Sequence, residues 1–337
     1  MQFYKKRMNN FFNQIKPVEK STLEQNKING KESERHIAGL LTTAINARVS
    51  FTSRTEDDAK IDLITCFSHP WLNNEVQVLS TQVKSGNSFC SIDNDKLILI
   101  KKKFSNLLNR NNWALVCWTT TDNKNSFWFL IKPNSKFIKL EYNSNHIINP
   151  LTKFHLIRII YSIDSRNGGK GLVFKRKNSR QDYERNEFLN LRKCAKQKYS
   201  RLKKINIINP LFGKIEFTRL GWRHITRESR WYYFKTASFE VLSILDKLLS
   251  VSPSKHYTLK HLKNESDELI YIENEYLLNY SNTKVFDAEQ KKNLNVEVFI
   301  KILEISCYKK AWKETPLNNN FTFRRVIFKS IYYKQSS

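Results

Sequence analysis

Between residues 31 and 85 a helical period gives way to two runs with strand character, and this switch restricts the chain to folds in which a helix packs on a sheet. In "ESERHIAGLLTTAINAR" the side chains of Ile37, Leu40, Leu41, Ala44 and Ile45 recur at three- and four-residue steps and form one apolar stripe. Glu34 lies one turn before Ile37 on the same face, and Ser33 is placed to cap the first turn. The runs "KIDLITCF" and "EVQVLSTQVKS", separated by the loop "SHPWLNN", predict an antiparallel hairpin. Further on, "WALVCWTT" and "SFWFLI" read as two strands joined by the polar turn "TDNKN". The second half of "DKLILIKKKFSNLLNRNN" between the two pairs reads as a helix. An α/β layer closing near "HLIRIIYSID" is the result.

The remainder differs in character. Residues 165–204 hold 14 Lys and Arg against 3 Asp and Glu, a surplus of 11 charges. A solvated basic helix would account for such a run, and so would a segment that contacts phosphates. Beyond it come "KIEFT", the helix-like "SFEVLSILDKLLSV" and two apolar runs, "VEVFIKILEISCY" and "TFRRVIFKSIYY", long enough to pair as strands. The expected organisation is a flexible arm over residues 1–30 and an α/β domain over 31–165. A basic linker or helix over 166–204 and a smaller α+β domain over 205–337 follow.

Charge narrows the partner. The chain carries 58 Lys and Arg against 31 Asp and Glu, a formal net charge of +27. An excess of that size repels itself unless a polyanion is bound, and nucleic acid, DNA before RNA, is the expected partner. Cys66, Cys90, Cys117, Cys194 and Cys307 are scattered singly, without C-x-x-C pairs or histidines at zinc spacing, which argues against a disulfide framework and a structural zinc site. The first residues, "MQFYKKRMNNFFNQIKPVEK", lack the apolar core of a secretory signal. No run reaches the length of about 18 apolar residues that a membrane span needs. A cytoplasmic protein without a membrane partner is expected.

The stretch "STQVKSG" places Gln82 and Lys84 on one face of a strand, where burial is costly for both. Metal-assisted phosphodiester hydrolysis supplies a reason. It needs hard oxygen ligands on a rigid support and a cation near the attacking water. Asp62 offers a carboxylate, Gln82 an amide oxygen and Val83 a backbone carbonyl, while Lys84 can orient water and offset charge developing on phosphorus. Glu34 can reach the same ion, or it can simply be an acidic first-turn residue meeting the helix dipole.

These residues resemble the PD-(D/E)XK nuclease superfamily, whose motif runs from a helix-borne Glu to an Asp and then to (D/E/Q)-x-K across a β-hairpin. The matching positions are Glu34, Asp62, Gln82 and Lys84. With "TEDDAKIDL", "STQVKSG" and the strand in "NWALVCW", residues from about 31 to 135 are similar to a bacterial branch with a D…QxK core that occurs in defence proteins. The resemblance implies a restriction-endonuclease-like domain with a mixed sheet flanked by helices. It also implies a Mg²⁺- or Mn²⁺-dependent endonuclease, with DNA favoured, acting against phage or mobile elements. Gln82 in place of an acid removes one ligand charge.

A second constellation lies in "GWRHITRESR". His224 is surrounded there by Arg223, Arg227 and Arg230, and the final strand run carries Arg324, Arg325 and Ser330. A histidine can move protons while arginines hold phosphate. The stretch "GKIEFTRLGWRHITRESR" together with "FRRVIFKSIYY" is similar to the barnase/EndoU/colicin/RelE-like fold, which implies a metal-independent ribonuclease as an alternative. A nucleic-acid-binding protein without catalysis is the other. A phosphate pocket where His224 and Arg230 converge near Arg325 is the expected role, with Lys175, Arg176, Lys177 and Arg223 adding phosphate contacts.

Overall fold

A computed structural model describes residues 22–53, 61–94, 96–162, 168–177, 183–314 and 323–335, with side chains from residue 28 onward. Helix α1 (Thr22–Ile45) starts earlier than its apolar stripe, so residues 22–30 are helical and do not belong to a flexible arm. Ser33 is accordingly no cap: its hydroxyl donates to the Asn29 carbonyl at 2.8 Å, one turn back inside the helix. The stripe itself is as expected, with Ile37, Leu40, Leu41, Ala44 and Ile45 all buried.

That stripe packs on a five-stranded sheet of β1 (Arg48–Phe51), β2 (Leu63–Ser68), β3 (Val76–Ser85), β6 (Ala114–Thr119) and β7 (Ser126–Ile131), in that spatial order. β1, β2 and β3 run antiparallel as a meander, β6 lies parallel to β3, and β7 returns antiparallel. The connection between β3 and β6 is not the expected α-helix. It contains β4 (Cys90–Asp93), β5 (Lys96–Leu99) and a 3₁₀ turn over Lys101–Leu107, and β5 also pairs with β8 (Glu141–Tyr142). Two cores result. α1 and α2 (Thr152–Tyr161) share one with Leu63, Leu79, Val83, Leu115 and Cys117, while Leu97, Leu99 and Phe104 pack against Val116, Trp118 and Phe129 in the other. Helices therefore cover one face of this sheet, and the small sheet with its 3₁₀ turn covers the other.

The C-terminal part carries the larger sheet. Its strands are β9 (Val173–Arg176), β10 (Ile208–Asn209), β11 (Gly213–Glu216), β12 (Lys255–Glu265), β13 (Leu269–Asp287), β14 (Lys292–Lys309) and β15 (Phe323–Gln335). The order is β10-β11-β15-β14-β13-β12, with β9 lying parallel to the end of β13. β14 and β15 pair antiparallel, as their sequences predict. β12 and β13 have no counterpart in the sequence reading. Polar residues such as Glu273, Asn274, Glu275 and Asn279 interrupt the apolar pattern, and β13 is held along its length by β14. Helices α3 (Arg185–Leu202), α4 (Arg219–Thr226), α5 (Tyr232–Val241) and α6 (Leu245–Leu249) cover one face and bury Tyr199, Ile225, Phe239 and Leu248 against Leu278, Val298, Ile300 and Phe328.

The two parts are joined through a buried polar knot. Arg158 on α2 pairs with Glu304 on β14 and donates to Tyr276 Oη at 2.8 Å, and Arg324 Nε donates to the same carboxylate at 2.6 Å. Burial alone would push the Glu304 carboxyl up, but the charges of Arg158 and Arg324 outweigh it and hold the group at about 2. Trp71, from the loop before β3, donates its indole N–H to the Pro210 carbonyl at 3.1 Å and lies against Gly213. Gly213 has φ +70°, and a Cβ there would meet the Trp71 ring at 2.9 Å, so the junction requires a glycine twice over. No helix among the described residues is long and apolar enough to cross a membrane.

Candidate active site

At the open end of β3, α1 and the hairpin enclose a cleft of about 600 Å³ whose lining includes Glu34, Asp62, Val83 and Lys84. Asp62 stands just before β2 with 9 % of its surface exposed. Its Oδ2 accepts the Val83 N–H at 2.6 Å, and its own N–H donates to the Thr81 carbonyl at 3.0 Å. The backbone of β3 thus fixes the carboxylate. Lys84 Nζ lies 3.9 Å from the same Oδ2 and 5.6 Å from the centre of the Phe89 ring. Glu34 enters from the helix, so three residues far apart in sequence line one cleft.

The loop after β3 supplies a wall that sequence reasoning missed. Gly86, Asn87, Ser88 and Phe89 line the cleft together with Ser85, the last residue of β3, and Thr121. Gly86 adopts φ +77°, its N–H donates to the Thr119 carbonyl at 3.1 Å, and its carbonyl accepts the Trp118 indole N–H at 3.0 Å. A left-handed turn directly after Q-x-K-S is the signal that "SGNS" offered, because glycine reaches that conformation without a Cβ clash.

Gln82 departs from expectation. It shares the strand face of Lys84 by the two-residue period, yet it is 2 % exposed and is not part of the cleft lining. Among the described residues, neither Oε1 nor Nε2 of its amide has a hydrogen-bond partner. A buried amide in that state is unfavourable unless something else satisfies it. Val83 gives its N–H to Asp62 and buries its side chain in the core. Among the described residues no group of three or more His, Cys, Asp or Glu is arranged to hold a metal ion. What the cleft offers is two carboxylates, with an unsatisfied amide buried on the strand behind them. These are hard oxygen donors of the type that Mg²⁺ or Mn²⁺ takes, and on that chemistry the residues fit such an ion.

The expected phosphate contacts are redistributed. Arg176 points inward from β9 and is 4 % exposed, with Nε donating to Asp287 Oδ2 at 3.0 Å. The two-residue alternation of a strand paired with β13 turns Arg176 in and Lys175 out, so Arg176 belongs to the core. Lys177 is exposed but its ammonium lies 2.6 Å from Glu187. The basic surface lies instead on α3, a docked helix and not a linker. It buries Ala195, Tyr199 and Leu202 while Arg192, Lys193, Lys196, Lys198 and Arg201 face outward. Residues 178–182, within the same basic run, lie outside the described residues.

His224 and Arg230 do share a pocket, of about 630 Å³, but without Arg325. Arg325 sits near the start of β15 and forms an ion pair at 2.5 Å with Glu216 on the neighbouring β11, whereas the pocket lies over the far end of that strand. Lys329, Ser330, Tyr332 and Lys334 take its place there. Arg223 faces a separate depression beside Arg192 and Lys235. Burial, together with the charges of Lys329 and Arg227, lowers the pKa of His224 below its usual 6.5.

No protein-family model, no curated protein and no solved structure matches this chain.

Proposed function

We propose that the chain is a divalent-metal-dependent nuclease that hydrolyses phosphodiester bonds of nucleic acid, with DNA favoured, at the cleft formed by Glu34, Asp62 and Lys84. The observation that carries the reading is the meeting of a helix carboxylate, a hairpin carboxylate and a strand lysine in one cleft. Asp62 and Glu34 would hold the cation, and the amide of Gln82 is the nearby group left to gain a partner from it. A bound Mg²⁺ or Mn²⁺ supplies Lewis-acid charge at the phosphoryl oxygen and lowers the pKa of bound water. Lys84, tied loosely to Asp62 at 3.9 Å, can hold the attacking water and offset negative charge as it grows on the phosphate. The Val83 N–H keeps the Asp62 carboxylate in one orientation throughout.

The surplus of positive charge, displayed on α3, favours a polyanionic substrate and draws it to the surface by counterion release. A second reading, nucleic-acid binding without cleavage, is favoured by the absence of Gln82 from the cleft lining. One assay separates the two. Purified protein is incubated with plasmid, single-stranded DNA and RNA, with Mg²⁺ or with chelator. Cleavage that needs Mg²⁺ and vanishes in Asp62→Ala supports the nuclease, while binding without cleavage in both conditions supports the second reading.

A further inference from the structure

The pocket around His224 is built for more than a phosphate. It lies between the α4–α5 turn and the outward face of β13, β14 and β15. Its lining holds five cations, Arg227, Arg230, Lys301, Lys329 and Lys334, against one carboxylate, Glu275. Glu275 pairs with Lys329 and, at 3.6 Å, with Lys301. Four positive charges are left in excess. Arg230 is held without an acid: its Nη1 donates to the His224 carbonyl at 3.3 Å and its Nη2 to the Ile331 carbonyl at 2.9 Å. A guanidinium fixed by backbone carbonyls is pre-oriented at no cost in charge, as an anion site requires.

Aromatic side chains interleave with these cations. Tyr332 is immobilised by a stacked contact with Phe299, centroids 5.2 Å apart, and by the edge of Phe234 at 5.9 Å. Trp231, directly after Arg230, is 79 % exposed, the highest value among the large apolar side chains of the described residues. An indole left in water beside excess positive charge forgoes burial that it would gain against an apolar partner. A phosphate alone gives it nothing to cover. The face of a nucleobase does, and stacking is indifferent to which base is present. In a duplex those faces are hidden by neighbouring pairs, so only an unpaired base can lie on the ring.

We propose that this pocket binds a single-stranded segment of nucleic acid, with an unpaired base on Trp231 and its adjoining phosphates on Arg227, Arg230 and Lys334. The proposal rests on the nucleic-acid reading above but not on cleavage, and it assigns the C-terminal sheet the task of selecting unpaired strand.

The experiment measures binding of the full chain in chelator, by fluorescence anisotropy, to a labelled oligonucleotide of about 12 nucleotides, within the usual range of single-strand site sizes. The same sequence as a duplex and a free nucleoside 5′-monophosphate are measured beside it. Single strand should bind about tenfold or more tightly than duplex at equal salt, and Trp231→Ala should weaken it by about 5- to 100-fold. Trp231→Phe should restore most of the affinity, a rescue that a general loss of fold would not show. Arg227→Gln should weaken binding and flatten its salt dependence. Equal affinity for duplex, or no effect of Trp231→Ala, overturns the proposal. A monophosphate that binds as tightly as the oligonucleotide overturns the strand assignment in favour of a free nucleotide. Every affinity is read in chelator, where metal-dependent cleavage plays no part: absence of Mg²⁺-dependent cleavage with the single-strand preference intact sinks only the nuclease reading, and loss of that preference sinks only this one.

Discussion

Lys84 Nζ stands 3.9 Å from Asp62 Oδ2, and the same oxygen accepts the N–H of Val83, the residue next to Lys84. One carboxylate is therefore fixed by the strand that carries the lysine. The expected consequence is that Lys84→Ala and Asp62→Ala each lower cleavage by about 10² or more, because both remove charge that matters most in the transition state. Binding of uncleaved nucleic acid in chelator should change little. Normal turnover by either variant would take the active site out of this cleft.

On the proposed metal site, Gln82 should couple stability to metal binding. Its amide is buried without a partner among the described residues, so Gln82→Leu should raise the stability of the metal-free protein by about 1–2 kcal/mol in urea unfolding. The same variant should weaken Mg²⁺ or Mn²⁺ binding measured by calorimetry. A stabilised variant with unchanged metal affinity would leave the amide no role at the ion.

The basic stretch should divide into two behaviours. Replacing Lys193, Lys196 and Lys198 on α3 with Gln should flatten log K against log salt by up to about 0.9 for each duplex phosphate that the helix no longer neutralises, at little cost in stability. Arg176→Gln should do the reverse. It leaves the buried Asp287 carboxylate without its guanidinium and should destabilise the fold by about 3–5 kcal/mol, with the salt slope unchanged.

Stability should fall as the protein is acidified below about pH 6.5. Burial lowers His146 and His256 to about 4 and His155 to about 3, against an ordinary value of 6.5. These rings are neutral in the folded protein and take up protons on unfolding. Their contribution is thus complete above about 6.5 and is lost toward pH 3–4. Glu304, held at about 2 against an ordinary 4.5, adds a second loss that starts below 4.5 and continues toward 2. Unfolding midpoints in urea between pH 3 and 8 should show both regions, and His155→Gln should flatten the upper one.

Elements with a local signal were legible in the chain alone. The stripe of α1, the β2–β3 hairpin and the strands β14 and β15 carry their period in consecutive residues because one face of each is buried, whereas β6 and β7 read as continuous apolar runs because both of their faces are covered. That Asp62 and Lys84 meet follows from the same hairpin register, and Glu34 joins them because it continues the buried stripe of α1. Long-range pairing settled the rest. Lys175 and Arg176 look alike in sequence, and the pairing of β9 with β13 is what turns one outward and the other onto Asp287. β13 reads as polar because its strand state depends on partners on both sides, and the knot draws Arg158 to Glu304 and Arg324 across most of the intervening chain. A buried charge is tolerated only where its partner arrives. Neither Arg158 nor Arg176 could therefore be placed in the core until the chain had folded around Glu304 and Asp287.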